Sequence, residues 1–478
     1  MQISLASQRR RSPWWLTFGL LALVLGGCGQ RGGLPCVETD PGIVERRDEE
    51  SSPGPFENLN VMVGVDASES MVGFVSQPSS RYGQAIASLH TLLQNKGLPT
   101  SYWRVGSNEN INRAQPISAN QFLTASKAPF YCRRDQPIAD YPCVSSTLGQ
   151  LYELPTDSPE SVQAGQNDQA EENSDTPGNG EASRNLKILL TDLEPDDAAV
   201  GQISGLISKE LKSNPNYKAV LLGVRSQFRG NVYSANASYP TFVYDTAGQD
   251  IDQKGRPFFI LMTGPQDTVD ELVKEFRRLP LDVNKAFRAS AFELGRADTV
   301  TLDNSSLRGT IQACVIDIGS INRQRPNQDQ EKDWLMLEQT NCGENSSSPL
   351  PPFELNIPSK STVSLTGGEL TPDLFNVSEP FVTVKKAEIV QNPGGEDARL
   401  LLTAVFDGNQ LPQGEGKLVY VTLGDRQLDQ AVWRDWDMDI SNPDGARTQN
   451  LQLFVSGLRG AVANDQDAVK FCLGYSHY

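Results

Sequence analysis

The sequence has little histidine and no closely paired cysteines. Its 478 residues include only two histidines, His90 and His477, and none of its seven cysteines belongs to a CxxC pair. Zinc sites in proteins are built mainly from cysteine and histidine, and histidine is the side chain that most often acts as a general base. A zinc centre or a histidine-based catalytic centre is therefore poorly supported.

The sequence also lacks an apolar run long enough to span a bilayer. The apolar segment 16–25 is short; it follows three arginines at 9–11 and precedes two glycines and Cys28. A basic region, a short apolar core and small residues in this order are typical of a secretory signal. Because Cys28 follows Leu-Gly-Gly, the segment resembles a bacterial lipobox, which implies that residues 1–27 are a signal peptide and that Cys28 carries a lipid. The alternative is an ordinary signal peptide with a coincidental cysteine.

An excess of basic residues is absent as well. The formal net charge is −17, and loss of the three arginines with the signal peptide would make it −20. Such an acidic chain disfavours nucleic acids and anionic membrane surfaces as partners. We therefore expect contact with the membrane only through the lipid on Cys28, and a location in the bacterial cell envelope on the extracytoplasmic side. Residues 28–56, rich in Gly, Pro, Arg and Glu, are predicted to be a flexible tether.

Between residues 57 and 285, segments typical of strands alternate with segments typical of helices. This alternation predicts an α/β fold with a doubly wound, mostly parallel, Rossmann-like sheet. Residues 226–253 are predicted to be an added β-hairpin or an elaboration of the sheet edge, and the acidic insertion 156–184 is predicted to be disordered because it has almost no apolar residue. The predicted strands are 59–65, 101–106, 186–191, 218–224 and 257–263, and the predicted helices are 82–95, 196–212 and 266–278.

Oxygen-bearing side chains follow two of the predicted strands. The run 59–65 ends in Asp66-Ala-Ser68-Glu-Ser70, and the run 186–190 ends in Thr-Asp192; between them, Thr147 precedes a short helical pattern. Doubly wound sheets bind ligands at the carboxyl ends of their strands, and hard oxygen ligands suit Mg²⁺. The pattern favours a magnesium site, with Mn²⁺ or Ca²⁺ as alternatives.

This ordered set of residues resembles the metal-ion-dependent adhesion site of von Willebrand factor type A (vWA) domains. The resemblance implies a vWA fold over 57–285 and a metal held by Asp66, Ser68, Ser70, Thr147 and Asp192. In the family, Gly usually follows the last Asp, whereas here Leu193 follows, so this loop is expected to be stiffer or differently shaped. Taken one at a time, the same residues could also be helix caps.

Beyond residue 286 the sequence pattern changes to short strand-like runs separated by turn residues. Such spacing predicts a linking β region over 286–354 and an Ig-like β-sandwich over 355–478. The strand-like runs are 309–318, 353–357, 362–366, 380–389, 398–406, 417–423, 430–434 and 449–455.

Six cysteines remain once Cys28 is set aside, an even number in a compartment that permits disulfides. Cys132 and Cys143 are close in sequence and are predicted to be bonded to each other. The sequence does not fix the pairing of the remaining four, which are Cys36, Cys314, Cys342 and Cys472.

Three classes of function compete. The favoured one is a lipid-anchored, extracytoplasmic binding or adhesion protein, not an enzyme, that captures a carboxylate-bearing protein partner at a Mg²⁺ site. The alternative is an assembly or structural subunit of an envelope complex whose metal site is not essential. A Mg²⁺-dependent phosphohydrolase with Asp66 as nucleophile is a weaker alternative, because Ser68 stands where haloacid-dehalogenase-like enzymes have a second carboxylate.

Overall fold

The computed structural model describes the strands and helices of most of the chain beyond residue 53. No helix among these described residues has the length and apolar character needed to cross a membrane. The described residues are 54–77, 79–131, 141–155, 184–194, 197–233, 241–278, 287–294, 300–302, 334–339, 353–361, 370–390, 399–407, 416–438, 442–462 and 467–477.

The first part of the chain contains nine strands and five α-helices among its described residues. The strands are β1 (Leu59–Asp66), β2 (Thr100–Val105), β3 (Gln115–Ile117), β4 (Arg184–Thr191), β5 (Tyr217–Ser226), β6 (Arg229–Val232), β7 (Phe242–Asp245), β8 (Arg256–Pro265) and β9 (Phe287–Glu293). The helices are α1 (Arg81–Asn95), α2 (Ala119–Thr124), α3 (Asp197–Ser213), α4 (Ile251–Lys254) and α5 (Gln266–Arg277).

Seven of these strands form one mixed sheet in the order β3-β2-β1-β4-β8-β5-β9. Strands β2, β1 and β4 are parallel to one another, as the sequence predicts. The remaining two strands, β6 and β7, pair antiparallel as a separate hairpin, which confirms the hairpin predicted within 226–253. The predicted α/β class is therefore confirmed, with strand and helix bounds close to those expected.

The prediction of a mostly parallel sheet is wrong, because only two of the six strand pairs are parallel and β3 is antiparallel to β2 at the first edge. Strand β8 lies between β4 and β5 and is antiparallel to both, and β9 is antiparallel to β5. The connection explains the direction of β8. After β5 the chain forms the β6–β7 hairpin and α4 and then re-enters the sheet without a crossover, so the next strand runs the opposite way; a parallel strand would need a long crossover connection.

Both faces of the sheet are covered by apolar side chains. Along β8, Phe258 and Ile260 belong to one buried cluster, whereas Phe259 and Leu261 belong to the other. The first cluster includes side chains of α1 and α5, and the second includes side chains of α3. Because successive strand residues point to opposite faces, this alternation requires covering layers on both sides.

Beyond β9, the described residues form two further four-stranded sheets and two helices. The sheet orders are β10-β12-β15-β14 and β11-β17-β16-β13. The additional elements are β10 (Val300–Leu302), β11 (Trp334–Gln339), β12 (Phe353–Ser361), β13 (Asn376–Val377), β14 (Val382–Val390), β15 (Arg399–Phe406), β16 (Gly416–Gly424), α6 (Asp425–Trp433), α7 (Leu451–Val462) and β17 (Asp467–His477).

Two of the predicted C-terminal strands are helices instead. The run 430–434 lies largely in α6, and 449–455 lies largely in α7. In α7, Leu451, Phe454, Val455 and Leu458 are buried at helical spacing, a pattern that a seven-residue window cannot distinguish from a strand. Four other predicted strands are confirmed as β12, β14, β15 and β16. The runs 309–318 and 362–366 lie outside the described residues, and the Ig-like arrangement of the sheets stays a prediction.

Helices α6 and α7 pack against the seven-stranded sheet. The rings of Trp433 and Trp436 lie over Gly223 of β5, where an added Cβ would stand 2.8 Å from each ring. Asp429 of α6 accepts a hydrogen bond from Ser290 of β9 at 2.7 Å and pairs with Arg459 of α7 at 2.8 Å. The C-terminal helices and the first part of the chain therefore share one continuous core.

Candidate metal centre

Asp66 is the last residue of β1 and is fully buried. Its Oδ1 accepts a hydrogen bond from the backbone N–H of Ser68 at 3.0 Å. Its Oδ2 accepts one from the Ser146 hydroxyl at 2.8 Å and one from the Thr191 hydroxyl at 2.9 Å. Burial raises the pKa of Asp66, and the hydrogen bonds from Ser68, Ser146 and Thr191 oppose that rise. The carboxylate is thus held in one orientation where three strands end.

The two serines of the D-x-S-x-S motif follow directly. The Ser68 and Ser70 hydroxyl oxygens lie 3.0 Å apart, the distance of a hydrogen bond between them. Ser68 occupies the N-cap position of the 3₁₀ helix Glu69–Val75, but its side chain makes no capping hydrogen bond. The helix-cap interpretation therefore does not explain this hydroxyl, which is directed to its neighbour in the motif instead.

Thr147 lies at the same edge of the sheet but bonds to a different residue. Its hydroxyl oxygen lies 2.6 Å from that of Ser107, and it also makes no capping hydrogen bond to the 3₁₀ helix Leu148–Leu151 that it precedes. The preceding residue, Ser146, is the one that contacts Asp66. The structure thus brings Thr147 beside the site through its neighbour rather than by a direct contact with Asp66.

Asp192 is the second buried carboxylate of the site. It is fully buried, and neither of its oxygens has a hydrogen-bond partner among the described residues. Burial raises its pKa to about 7, and the negative charges of Glu194 and Asp66 add to the rise, whereas Arg256 and the nearby Ser70 hydroxyl oppose it. A buried carboxylate without hydrogen bonds is costly, so Asp192 calls for either a proton or a cation beside it.

The loop that carries Asp192 has a left-handed residue at its centre. Leu193 has a φ of 51°, a region that most non-glycine residues avoid, and its side chain is buried. Its N–H donates to the Thr191 hydroxyl at 3.0 Å. The residue that departs from the vWA pattern therefore keeps a backbone conformation that glycine adopts easily.

The next residue, Glu194, forms a buried ion pair with Arg256 of β8. The nitrogen–oxygen distance is 2.5 Å, and the two side chains are 3% and 0% exposed. Burial raises the pKa of Glu194, and the charge of Arg256 opposes the rise. Arg256 is the nearby basic side chain, and it pairs with Glu194. Among the described residues, neither Asp66 nor Asp192 forms an ion pair.

The donor set fits a hard divalent cation. Two buried carboxylates in electrostatic contact, Asp66 and Asp192, stand with the hydroxyls of Ser68 and Ser70, and such oxygens are the ligands that Mg²⁺ and Ca²⁺ prefer. Within the described ranges, no three His, Cys, Asp or Glu side chains come together as a metal site. A cation at this edge would therefore depend on two carboxylates assisted by neutral hydroxyls.

Several residues of the site escape prediction from the sequence. Ser146 and Thr191 directly precede the predicted Thr147 and Asp192. Their position next to predicted site residues is the one sequence feature that could have indicated them. Ser107 follows the end of β2, where a hydroxyl at the carboxyl edge could have been noted. Arg256 gave no signal, because its place at the site depends on the direction of β8.

Most of the other predicted sites lie outside the residues that the structure describes. Cys143 is disulfide-bonded; Cys132 lies outside the described residues, so the pairing of the two stays a prediction. Cys28 and most of the acidic insertion, residues 156–183, also lie outside the described residues.

Comparison of the chain with protein-family models, with curated proteins and with solved structures finds no match.

Proposed function

We propose that the chain is a cation-dependent binding protein. In this proposal Asp66, Ser68, Ser70, Thr147 and Asp192 hold Mg²⁺, or Mn²⁺ or Ca²⁺ in its place. The bound cation would supply one open coordination position for a carboxylate of a protein partner. The lipid on Cys28 would hold the protein in the bacterial cell envelope on the extracytoplasmic side.

The observation that carries the proposal is the state of Asp192. Its carboxylate is buried without hydrogen bonds from the described residues, and the negative charge of Asp66 acts on it. The nearby cation, Arg256, is already committed to Glu194. A divalent cation would neutralise the two remaining carboxylates, whereas a merely structural aspartate would be expected to be held by several hydrogen bonds, as Asp66 is.

The neutral ligands explain why an acidic protein could attract a carboxylate. Ser68, Ser70 and Thr147 contribute hydroxyls, so two carboxylates are the charged ligands of the proposed set. With only two charged ligands the ion would carry no excess negative charge, so its open position would still attract a carboxylate, even on a chain of net charge −17. The hydrogen bonds from Ser146 and Thr191 fix Asp66 before the cation arrives, which lowers the cost of organising the site.

The test is capture of a partner from detergent-solubilised envelope with the full chain as bait. Wild-type protein should retain the partner in Mg²⁺ and release it into a chelator or into excess free acetate, which competes for the open position. Asp66→Ala should capture none. Asp245→Asn, which changes a partly exposed carboxylate on the β6–β7 hairpin, should behave as wild type. Capture that ignores both the chelator and Asp66→Ala would contradict the proposal and favour an assembly subunit whose metal site is not essential.

A further inference from the structure

Arg256 connects the proposed metal centre to the C-terminal part of the chain. One nitrogen of its guanidinium, Nη2, pairs with Glu194, two residues beyond Asp192. The other, Nη1, donates to the carbonyl oxygens of Gly445 at 3.1 Å and Arg447 at 3.4 Å. The guanidinium is completely buried and lies over the ring of Phe228. One planar side chain therefore contacts both the Asp192 loop and the turn that precedes α7.

The antiparallel direction of β8 is what puts Arg256 there. Thr191, the last residue of β4, pairs with Phe259, so the first residues of β8 extend past the end of β4. A parallel strand in the same position would place its last residues at this edge and Arg256 at the opposite one. The antiparallel direction of β8, which the sequence did not predict, thus places the Arg256 guanidinium next to the proposed metal site.

A second arginine holds the same turn, and Glu194 lies beside it. Arg225 Nη1 donates to the Ala446 carbonyl at 2.7 Å, and the backbone of Gln449 lies close enough to the Glu194 carboxylate to oppose the rise in its pKa. Gly445 lies so close to the ring of Tyr244 that an added Cβ would collide with it. Residues 444–449, here called the C-terminal turn, are thus fastened to the carboxyl edge at several points before α7 begins at Leu451.

We infer that Arg256 is a positioning residue of the cation site and that it couples this site to the docking of the C-terminal turn. By holding Glu194, it fixes the loop that presents Asp192; by holding the Gly445 and Arg447 carbonyls, it makes that loop depend on the docked turn. The inference rests on the proposed function, because it concerns the same cation.

The coupling is reciprocal. If a docked turn strengthens cation binding, cation binding must stabilise the docked turn by the same factor. Mg²⁺ should therefore slow backbone amide exchange in α7, although no residue of α7 belongs to the proposed ligand set. Loss of the Arg256 bridge should abolish the Mg²⁺-dependent slowing of exchange in α7. It should also lower the affinity for Mg²⁺, since groups that orient metal ligands typically contribute roughly 10- to 100-fold to metal affinity.

The experiment measures Mg²⁺ affinity by calorimetry and amide exchange of residues 451–462 with and without Mg²⁺, on the full chain. Arg256→Met removes the bridge. Arg256→Lys keeps a charge but cannot reach Glu194 and both carbonyls together. Gly445→Ala displaces the turn from Tyr244 and touches no acidic residue of the site. Lys187→Met is the matched control, because it removes a similarly buried ion pair, between Lys187 of the neighbouring strand β4 and Glu210 at 3.0 Å.

We expect Arg256→Met, Arg256→Lys and Gly445→Ala to lose roughly 10-fold or more in Mg²⁺ affinity and to lose the Mg²⁺-dependent protection of α7, while Lys187→Met keeps both. If Arg256→Met does not fold, the other two variants decide. Wild-type binding of Mg²⁺ with unchanged affinity in Gly445→Ala and Arg256→Lys would overturn the coupling and leave the proposed function standing. Absence of Mg²⁺ binding by the wild type would overturn both.

Discussion

Thr191 donates its hydroxyl to Oδ2 of Asp66 across 2.9 Å, which joins the last residue of β4 to the last residue of β1. The same hydroxyl oxygen accepts the N–H of Leu193. One buried side chain thus orients the first carboxylate of the proposed metal centre and shapes the loop that carries the second. This arrangement makes the geometry of the site a property of two adjacent parallel strands.

Thr191→Val should weaken the site without disrupting the sheet. Valine keeps the shape but loses both hydrogen bonds, so we expect a loss of about 1 kcal/mol in the free energy of unfolding and roughly 10-fold or more in Mg²⁺ affinity. Thr263→Val is the matched control, because it removes a buried hydrogen bond to Tyr152 elsewhere in the sheet. Equal loss of Mg²⁺ affinity in the two variants would show that Thr191 acts only through general stability.

Asp192→Asn should change how the stability of the metal-free protein depends on pH. Asp192 has a pKa of about 7 in the folded chain against an ordinary value of 3.8, so the folded state holds a proton that the unfolded state loses. Stability must therefore fall as pH rises from about 4 to about 7, and remain lower above that range. Asparagine cannot ionise, so the variant should lose this contribution.

The measurement is the melting temperature in chelator from pH 4 to pH 8 for both proteins. Above pH 7 we expect Asp192→Asn to melt at a higher temperature than the wild type, with the difference shrinking toward pH 4. A difference that stays constant with pH, or that favours the wild type at pH 8, would be inconsistent with a buried carboxylate that lacks compensation.

Leu193→Gly should destabilise the protein even though it removes backbone strain. Relief of the left-handed conformation at φ 51° is worth about 1–2 kcal/mol. The buried leucine side chain is worth more, because removing such a side chain from a core typically costs about 2–5 kcal/mol. Chemical denaturation should therefore give a net loss; a more stable variant would mean that the Leu193 side chain contributes little packing.

Gly223→Ala should loosen the contact between the C-terminal helices and the sheet. Its Cβ would lie 2.8 Å from both Trp433 and Trp436, too close for either ring to stay in place. Overpacking of this kind costs about 1–3 kcal/mol. The control is Gly205→Ala in α3, where a Cβ meets nothing within 4 Å and alanine should stabilise the helix by about 0.5–1 kcal/mol. Thermal unfolding that moves in the same direction for both variants would contradict the packing argument.

The elements of the first part of the chain could be predicted because their apolar runs are long and clearly bounded. β1 and β4 are buried along nearly their whole length, and each ends at an oxygen-bearing side chain. Periodicity does not encode strand direction, however, and β8 looks the same in sequence whether it is parallel or antiparallel. The reversal of β8, and with it the place of Arg256, depends on the connection through the β6–β7 hairpin.

The site was predictable to the same extent. Asp66 and Asp192 could be placed together because the carboxyl ends of parallel strands meet at one edge. Which hydroxyl reaches Asp66 could not be predicted, because Ser146 and Thr147 are adjacent and only the path of the loop decides between them. The ion pair of Glu194 with Arg256 joins residues far apart in sequence, and no local pattern reports it.

The central claim is that Asp66 and Asp192 hold a divalent cation, and the most direct test is calorimetric titration of Mg²⁺ into the full chain at pH 8. Wild-type protein should bind about one Mg²⁺ per chain, and Asp66→Ala should bind none while still unfolding cooperatively in chelator, because the apolar core of the sheet is untouched. Equal Mg²⁺ affinity in both proteins, or no binding by the wild type, would contradict the account.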